Sequence, residues 1–168
     1  MTIHYLFFNH TLGEVLMASD GKGLCFVGFT DNDRSSALDD LKARLKEVTL
    51  FQEGTDDHLR EGLTFLTSRT TEPCRVPLRF YGTPFQKEVW KALMNIPFGE
   101  RTSYKAIAEQ IGRPKAVRAV GTAIGRNNLS IIVPCHRVLT SSGKLGGYHW
   151  GIERKKRLLE YEQQMKRS

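Results

Sequence analysis

The stretch Ile131-Ile132-Val133-Pro134-Cys135-His136-Arg137-Val138 places a thiol, an imidazole and a guanidinium directly after a run of β-branched residues. The run predicts a buried strand, and Pro134, which has no N–H to donate, predicts that regular pairing stops there. A thiol reacts as its thiolate, and nearby cationic or imidazole groups lower its pKa. His136 and Arg137 therefore make Cys135 a candidate nucleophile, and the alternative is a structural cysteine, since free cysteine usually behaves as a small buried hydrophobe.

The composition predicts an ordinary globular protein in a reducing compartment. The 168 residues are 40% hydrophobic and 26% charged, which suits one domain or two small ones. No apolar run approaches the roughly 20 residues of a membrane span, and no signal-peptide pattern opens the chain, so we expect a cytoplasmic protein. Cys25, Cys74 and Cys135 form neither a CxxC pair nor zinc-ligand spacing, so we expect no disulfide framework, metal or other cofactor.

The charge is distributed unevenly along the chain. Residues 1–82 hold 9 Lys and Arg against 12 Asp and Glu, whereas residues 83–168 hold 16 against 6. The two parts carry −3 and +10, which gives the +7 of the whole chain. A basic half of this kind favours a polyanionic partner, and the alternative is a solvated surface with chance asymmetry.

The first half is expected to form a sheet with helices and shows no chemical motif. Strands are predicted over 3–8, 14–19, 24–29 and 76–80, and helices over 35–48 and 56–69. Cys25 falls in an apolar strand and is assigned to the core. We predict an N-terminal sheet and helix domain over 1–81 and a second domain over 82–168, with the boundary at Gly82.

The second half is expected to be mostly helical. Thr83-Pro84-Phe85-Gln86 predicts a helix start with a capping box. Two short helices follow, the first closed by Gly112 and the second predicted over 115–124, which is typical of a helix-turn-helix. A last helix is predicted over 153–165, and its basic residues 154–157 are expected to form a solvated or phosphate-facing rim.

One face of the second short helix suits contact with another surface. Lys115, Arg118 and Thr122 form a polar face among small residues that include Ala119, and small residues let a partner approach closely. On DNA, a lone Arg118 on such a helix could enter the duplex rather than only touch phosphate. The alternative is an alanine-rich helix with one solvated arginine.

A set of motifs, taken in order along residues 82–162, resembles the O6-alkylguanine-DNA alkyltransferases. The matching motifs are Gly82-Thr83-Pro84-Phe85-Gln86 with Val89-Trp90, Pro97-Phe98-Gly99-Glu100 with Ser103-Tyr104, Arg118-Ala119-Val120-Gly121, Pro134-Cys135-His136-Arg137-Val138, Gly147-Tyr148, and Leu158-Leu159 with Glu162. The first half resembles the variable sheet domain of this family more weakly. The resemblance implies an α/β (α+β) fold: a small ribonuclease-H-like sheet domain, then a mostly helical domain with a helix-turn-helix.

The resemblance also implies a suicide repair reaction on duplex DNA. The alkyl group on O6 of guanine would move irreversibly to Cys135, with His136 as the base through a water and Glu162 orienting His136. Asn127 matches the hinge asparagine of the family, and Tyr148 matches the donor to the leaving guanine. Whether O4-alkylthymine is a second substrate is left open.

For the DNA contact, the resemblance implies base flipping through the minor groove. Tyr104 matches the residue that turns the 3′ phosphate, and Arg118 matches the finger that fills the vacated base position. The further expected DNA contacts are Ser103, Lys115, Ala119, Thr122 and Arg126. A monomer is expected, with double-stranded DNA containing O6-alkylguanine as its partner.

Two positions depart from the commonest pattern of the family. Asn128 stands where proline is frequent, and Trp150 stands where glycine is frequent. The expected substrate pocket is lined by Tyr148, Val138 and Trp150, and the tryptophan should narrow it. We therefore expect methyl adducts to react faster than bulky benzyl adducts.

Two other classes of function compete with repair. A damage-sensing or regulatory DNA-binding protein would bind DNA with Cys135 as a structural residue and without loss of the thiol. A Cys–His hydrolase would turn over, whereas alkyl transfer stops after one event per chain.

Overall fold

The computed structural model of the chain describes residues 1–167, which group into two compact units. The first comprises Met1–Thr70, Cys74–Tyr81 and Asn128–Ser130, and the second comprises Thr71–Pro73, Gly82–Asn127 and the chain from Ile131 onward. The short segment Asn128–Ser130 thus belongs with the first unit although it lies far along the chain. The domain boundary at Gly82, as a statement about independent folding, stays a prediction.

The first unit is built on a four-stranded sheet. Its strands are β1 (Thr2–His10), β2 (Gly13–Ser19), β3 (Leu24–Phe29) and β4 (Leu50–Glu53). The order is β3-β2-β1-β4, with antiparallel pairing among the first three strands and β4 parallel to β1. The sequence did not indicate β4, because four largely exposed residues carry no alternating pattern.

Two helices accompany this sheet, α1 (Arg34–Arg44) and α2 (Asp57–Thr67). Both begin at an aspartate that caps the helix, since Asp33 accepts from the Ser36 amide and Asp56 from the Leu59 amide. One core cluster of this unit combines strand residues with Leu41 of α1 and the residues after it, and comprises Ile3, Leu16, Ala18, Cys25, Phe26, Leu41, Leu45 and Val48. Cys25 is fully buried as expected, and burial raises its pKa well above the ordinary value.

Two predictions for this unit are wrong, one about where a helix ends and one about a strand. The helix predicted to reach residue 48 ends at Arg44, although Val48 still packs in the core. The strand predicted over 76–80 reduces to an isolated parallel bridge between Leu24 and Leu78. Apolar spacing alone does not distinguish a buried helix end from a buried loop, or a strand from a single bridge.

The second unit is mostly helical. Its elements are α3 (Pro84–Leu93), β5 (Thr102–Ser103), α4 (Tyr104–Gln110), α5 (Val117–Gly125), β6 (Val138–Leu139) and α6 (Ile152–Arg167). The predicted capping box at the start of α3 is present in both directions between Thr83 and Gln86. The strands β5 and β6 pair in parallel.

Helices α4 and α5 form the predicted helix-turn-helix, packed on α3. The Ser103 hydroxyl caps α4, and Gly112, with a φ of 76°, closes it. The Trp90 indole Nε1 donates to the Ala123 carbonyl at 2.9 Å and ties α3 to α5. The predicted helix start at Lys115 is wrong: Lys115 lies in the turn in which the Ala116 amide bonds to the Arg113 carbonyl, and α5 begins at Val117.

The predicted strand over Ile131–Val133 is also wrong, because this segment is a turn. Ile131 has a φ of 72°, which costs a β-branched residue about 1–2 kcal/mol and cannot occur in a strand. The side chain of Asn127 donates to the Val133 carbonyl at 3.0 Å, a bond that closes this turn instead of a ladder.

The expected fold class is confirmed. A small sheet unit with two helices is combined with a mostly helical unit that carries a helix-turn-helix. Within residues 1–167, no helix is both long enough and apolar enough to cross a membrane.

Gly23 offers a test of how the first unit is packed. A Cβ at this position would lie 2.6 Å from the Pro77 carbonyl oxygen, which accepts a hydrogen bond from the Leu24 amide. We expect Gly23→Ala to lower the free energy of unfolding by ~1–3 kcal/mol, because backbone cannot move aside as a flexible side chain can. Gly125→Ala, where a Cβ meets nothing within 4 Å, is the control. Equal stabilities in urea denaturation would contradict the close packing at Gly23.

Candidate active site

Cys135 is presented by two consecutive tight turns. Its amide donates to the Val133 carbonyl at 2.8 Å across Pro134, whose φ of −80° and ψ of 61° define an inverse γ-turn. Residues Cys135–Arg137 then form one turn of 3-10 helix, so Cys135 and His136 are not the opposed neighbours of a strand. The thiol residue is buried, with 7% of its surface exposed.

The Asn127 side chain is the direct polar partner of the thiol. Its Nδ2 lies 3.3 Å from the Cys135 Sγ and also donates to the Val133 carbonyl. Burial raises the pKa of the Cys135 thiol, while the Asn127 hydrogen bond and the positive charge of Lys155 act in the opposite direction. Asn127 and Lys155 therefore favour the thiolate, together with a weaker contribution from the backbone N–H of Cys135 itself.

His136 is held by a buried carboxylate rather than by the thiol. Its Nε2 lies 2.7 Å from the Glu162 Oε2, and among residues 1–167 its buried Nδ1 has no hydrogen-bond partner. Burial lowers the pKa of His136 against the opposing effect of Glu162, which favours the neutral ring. A carboxylate can only accept, so Nε2 carries the proton and Nδ1 is left with the lone pair of a base.

Glu162 is the shared acceptor of this site. Arg137 donates to it through Nε at 2.9 Å and Nη2 at 3.0 Å, and the Gly99 amide donates at 3.2 Å. Burial alone would raise the pKa of Glu162, but the bonds from His136 and Arg137 outweigh it and bring the pKa to about 2. Arg137, which the sequence suggested as a neighbour that activates the thiol, is engaged by Glu162 and by the Ile96 carbonyl.

Lys155 is a site residue that the sequence analysis missed. It was expected on a solvated rim, but its side chain is fully buried. Its Nζ donates to the carbonyls of Val138 at 2.7 Å and Gly147 at 3.1 Å, and to that of Leu145. Burial lowers its pKa to about 8, and the nearby Cys135 opposes this. The missed signal was spacing, because 155, 158, 159 and 162 follow the i, i+3, i+4, i+7 pattern of a buried helix face.

The aromatic residues of the expected pocket lie on the loop that Lys155 holds. The Tyr148 hydroxyl is buried and has no partner among residues 1–167, and burial raises its pKa well above the ordinary value. Trp150 is half-buried and meets His149 edge to face, with ring centroids 4.5 Å apart. Val138 is fully buried, and the Tyr104 hydroxyl donates to the Gly147 carbonyl at 3.5 Å.

The residues expected to contact DNA lie mostly on the exposed surface of the helix-turn-helix. Arg118, Ala119 and Thr122 are exposed on α5, Arg126 is exposed directly after it, and Lys115 is exposed in the preceding turn. Ser103 differs, since its hydroxyl accepts the Ala106 amide at 3.0 Å and is occupied in capping α4. The roles of these residues stay predictions.

The fold and the site together define the class to which this protein belongs. Its members would combine a sheet unit and a helix-turn-helix with a buried thiol, and the thiol is followed by a histidine that a glutamate holds. Residues 84–164 match the family model described as 6-O-methylguanine DNA methyltransferase, DNA binding domain. The methylated-DNA–protein-cysteine methyltransferase of Methanosarcina acetivorans is 39% identical over 160 residues, which cover 95% of this chain and 98% of that protein. The chain belongs to the family of methylated-DNA–protein-cysteine methyltransferases.

Two further relatives extend this result. The bifunctional transcriptional activator/DNA repair enzyme Ada of Escherichia coli is 40% identical over 171 residues; the match covers 96% of this chain and 46% of Ada, about half its length. The crystal structure of Mycobacterium tuberculosis OGT in complex with DNA matches with a TM-score of 0.79 and 35% identity, covering 98% of this chain and 94% of that one. The predicted family is confirmed.

The low pKa of Glu162 predicts how stability depends on pH. A carboxyl with a pKa near 2 in the folded chain and an ordinary value of 4.5 stabilises the fold above about pH 4.5 and loses that contribution as the pH falls toward 2. We expect Glu162→Gln to be less stable than wild type at pH 7, with a gap that narrows between about pH 4.5 and 2. Urea denaturation across this range measures the gap, with Glu100→Gln in the exposed pair with Lys166 as the control. A gap that does not change with pH would contradict the assignment.

Proposed function

We propose that this chain repairs O6-alkylguanine in DNA by moving the alkyl group irreversibly to its own Cys135. The observation that carries the proposal is the buried thiol, bonded by the Asn127 amide and followed by the His136–Glu162–Arg137 hydrogen bonds. Membership of the methyltransferase family supports the same chemistry. The tight turns fix the thiol in one place, which suits a displacement that needs in-line geometry.

In the proposed reaction, Cys135 loses its proton to Nδ1 of neutral His136 through one water. The thiolate then attacks the alkyl carbon, so that an S–C bond forms and the C–O6 bond breaks. The electron pair of the broken bond stays with guanine. The guanine anion would accept a hydrogen bond from the buried Tyr148 hydroxyl and take up one proton, which the imidazolium of His136 returns through water. The product is a thioether that no residue of the site reverses, so each chain reacts once.

The proposed substrate is duplex DNA, approached through the minor groove. The net charge of +10 on residues 83–168 supplies affinity that does not depend on sequence. O6 is shielded inside a duplex, so the base is flipped out at a cost of a few kcal/mol. Exposed Arg118 would fill the vacated position, and Tyr104 would turn the 3′ phosphate.

Further features of the substrate and setting are part of this proposal. Trp150 is expected to narrow the pocket formed with Tyr148 and Val138, so that methyl groups transfer faster than benzyl groups. O4-alkylthymine is a second candidate substrate. We expect the chain to act as a monomer in the cytoplasm.

The deciding experiment is the mass of the intact protein after mixing with excess duplex that contains O6-methylguanine. We expect a gain of one methyl per chain, mapped to Cys135, followed by no further change. Cys135→Ser should gain nothing under the same conditions. Binding without a mass gain would identify a damage-sensing or regulatory protein instead, and repeated turnover would indicate hydrolysis.

Replacement of the proposed finger separates DNA engagement from chemistry. We expect Arg118→Ala to slow transfer from duplex DNA by ~10-fold or more, because the flipped state then lacks the side chain that fills the gap. Transfer from the free base O6-methylguanine should be unchanged. Arg113→Ala, which removes an exposed arginine from the turn before α5, is the matched control. Equal losses on both substrates would argue against the finger role.

A further inference from the structure

Four hydrogen bonds fix the segment Asn128–Ser130 within the first unit, and Asn128 makes three of them. Its Nδ2 donates to the Tyr81 carbonyl at 2.8 Å, and its Oδ1 accepts from Arg44 Nη1 at 3.1 Å. Its backbone carbonyl accepts from the Val27 amide at 2.8 Å, and the Ser130 amide returns a bond to the Val27 carbonyl at 3.1 Å. Asn128 itself is buried. Residues 128–130 are thus anchored along β3.

The residue before this anchor is the one that bonds the thiol. Asn127 belongs to the second unit, where its amide N–H donates to the Ile124 carbonyl at 3.2 Å and its side chain bridges the Val133 carbonyl and the Cys135 Sγ. One peptide bond joins it to Asn128. The direction in which the chain leaves Asn127 is therefore set by the anchor.

The backbone after the anchor shows the same constraint. Ile131, the first residue beyond it, has a φ of 72°, a conformation that a β-branched residue adopts only where the flanking chain imposes it. On one side that chain is the anchored segment 128–130, and on the other it is Val133, held by the Asn127 side chain. The anchored segment 128–130 and the turn at Ile131 therefore lie within a loop from Asn127 to Cys135. The Asn127 side chain closes this loop by bonding the Val133 carbonyl and the Cys135 thiol.

We propose that Asn128, held by Arg44 and Tyr81, is a positioning residue that keeps the Asn127 amide against the Cys135 thiol. It acts through Asn127 and touches neither thiol nor substrate. This positioning role rests on the proposed function only in naming Cys135 as the reacting group.

The test measures the rate at which iodoacetamide alkylates Cys135 in the full chain across pH, with the modified peptide identified by mass. This probe reports the thiolate and needs no DNA. The titratable groups around Cys135 are Lys155, Tyr104, Tyr148 and the His136–Glu162 pair, and no variant below alters any of them.

We expect Asn128→Ala and Arg44→Met to shift the pH profile of alkylation toward higher pH. Alkylation near neutral pH should slow by ~3- to 10-fold, which is the effect of losing one hydrogen bond to the sulfur. Arg44→Lys, which keeps a donor, should recover part of the rate. Asn127→Ala should show the full effect, and adding Asn128→Ala to it should cause no further loss, because the two act in series. Arg34→Met, which removes an arginine from the same helix and its pair with Glu14, should leave the profile unchanged.

The outcomes distinguish this inference from the proposed function. An unshifted profile in Asn128→Ala and Arg44→Met, or a full additional loss in the Asn127→Ala/Asn128→Ala double variant, would overturn the positioning role. A shift of the same size in Arg34→Met would also overturn it, because general loosening of the fold would then explain the change. If wild type takes no methyl from damaged DNA but the profiles shift as expected, the proposed function fails and the positioning role stands.

Discussion

The buried carboxylate of Glu162 is the interaction on which the site depends. A charge without water is unfavourable unless it is paired and hydrogen-bonded, and Glu162 meets this condition through His136, Arg137 and the Gly99 amide. These partners come from the turn after Pro134 and from the turn that follows α3, while Glu162 itself lies on α6. One anion therefore fixes three segments, and it also fixes which nitrogen of His136 carries the proton.

Lys155 is the cationic counterpart, seven residues earlier on the same helix. Its ammonium binds three carbonyls from β6 and from the glycine-rich loop that carries Tyr148. Helix α6 thus presents a carboxylate to the His136 side of the site and an ammonium to the loop side. The residue that the sequence suggested as a phosphate-facing surface charge is instead part of the interior that supports the thiol.

The sequence predicted well where local chemistry decides the structure. The capping box of α3 and the glycine that closes α4 depend on neighbouring residues and could be identified from them. The prediction from sequence failed where residues distant along the chain decide the local structure. The β-branched run at 131–133 has strand propensity, but the Asn127 side chain takes the Val133 carbonyl and tertiary context overrides the preference. The bond from Arg44 to Asn128 spans 84 residues, a separation that no local pattern could reveal.

The burial of Cys135 suits the proposed reaction, in which each chain reacts once. An exposed, permanently ionised thiol would react with any electrophile, and each such event would consume a chain. Here burial raises the pKa of the thiol and lowers the pKa of the neighbouring imidazole, whose buried Nδ1 has no hydrogen-bond partner among residues 1–167. The thiolate would then form chiefly when a substrate occupies the site and the proton can pass to His136. Two opposing effects set how reactive the thiol is. The hydrogen bond from the Asn127 side chain favours the thiolate, and burial opposes it.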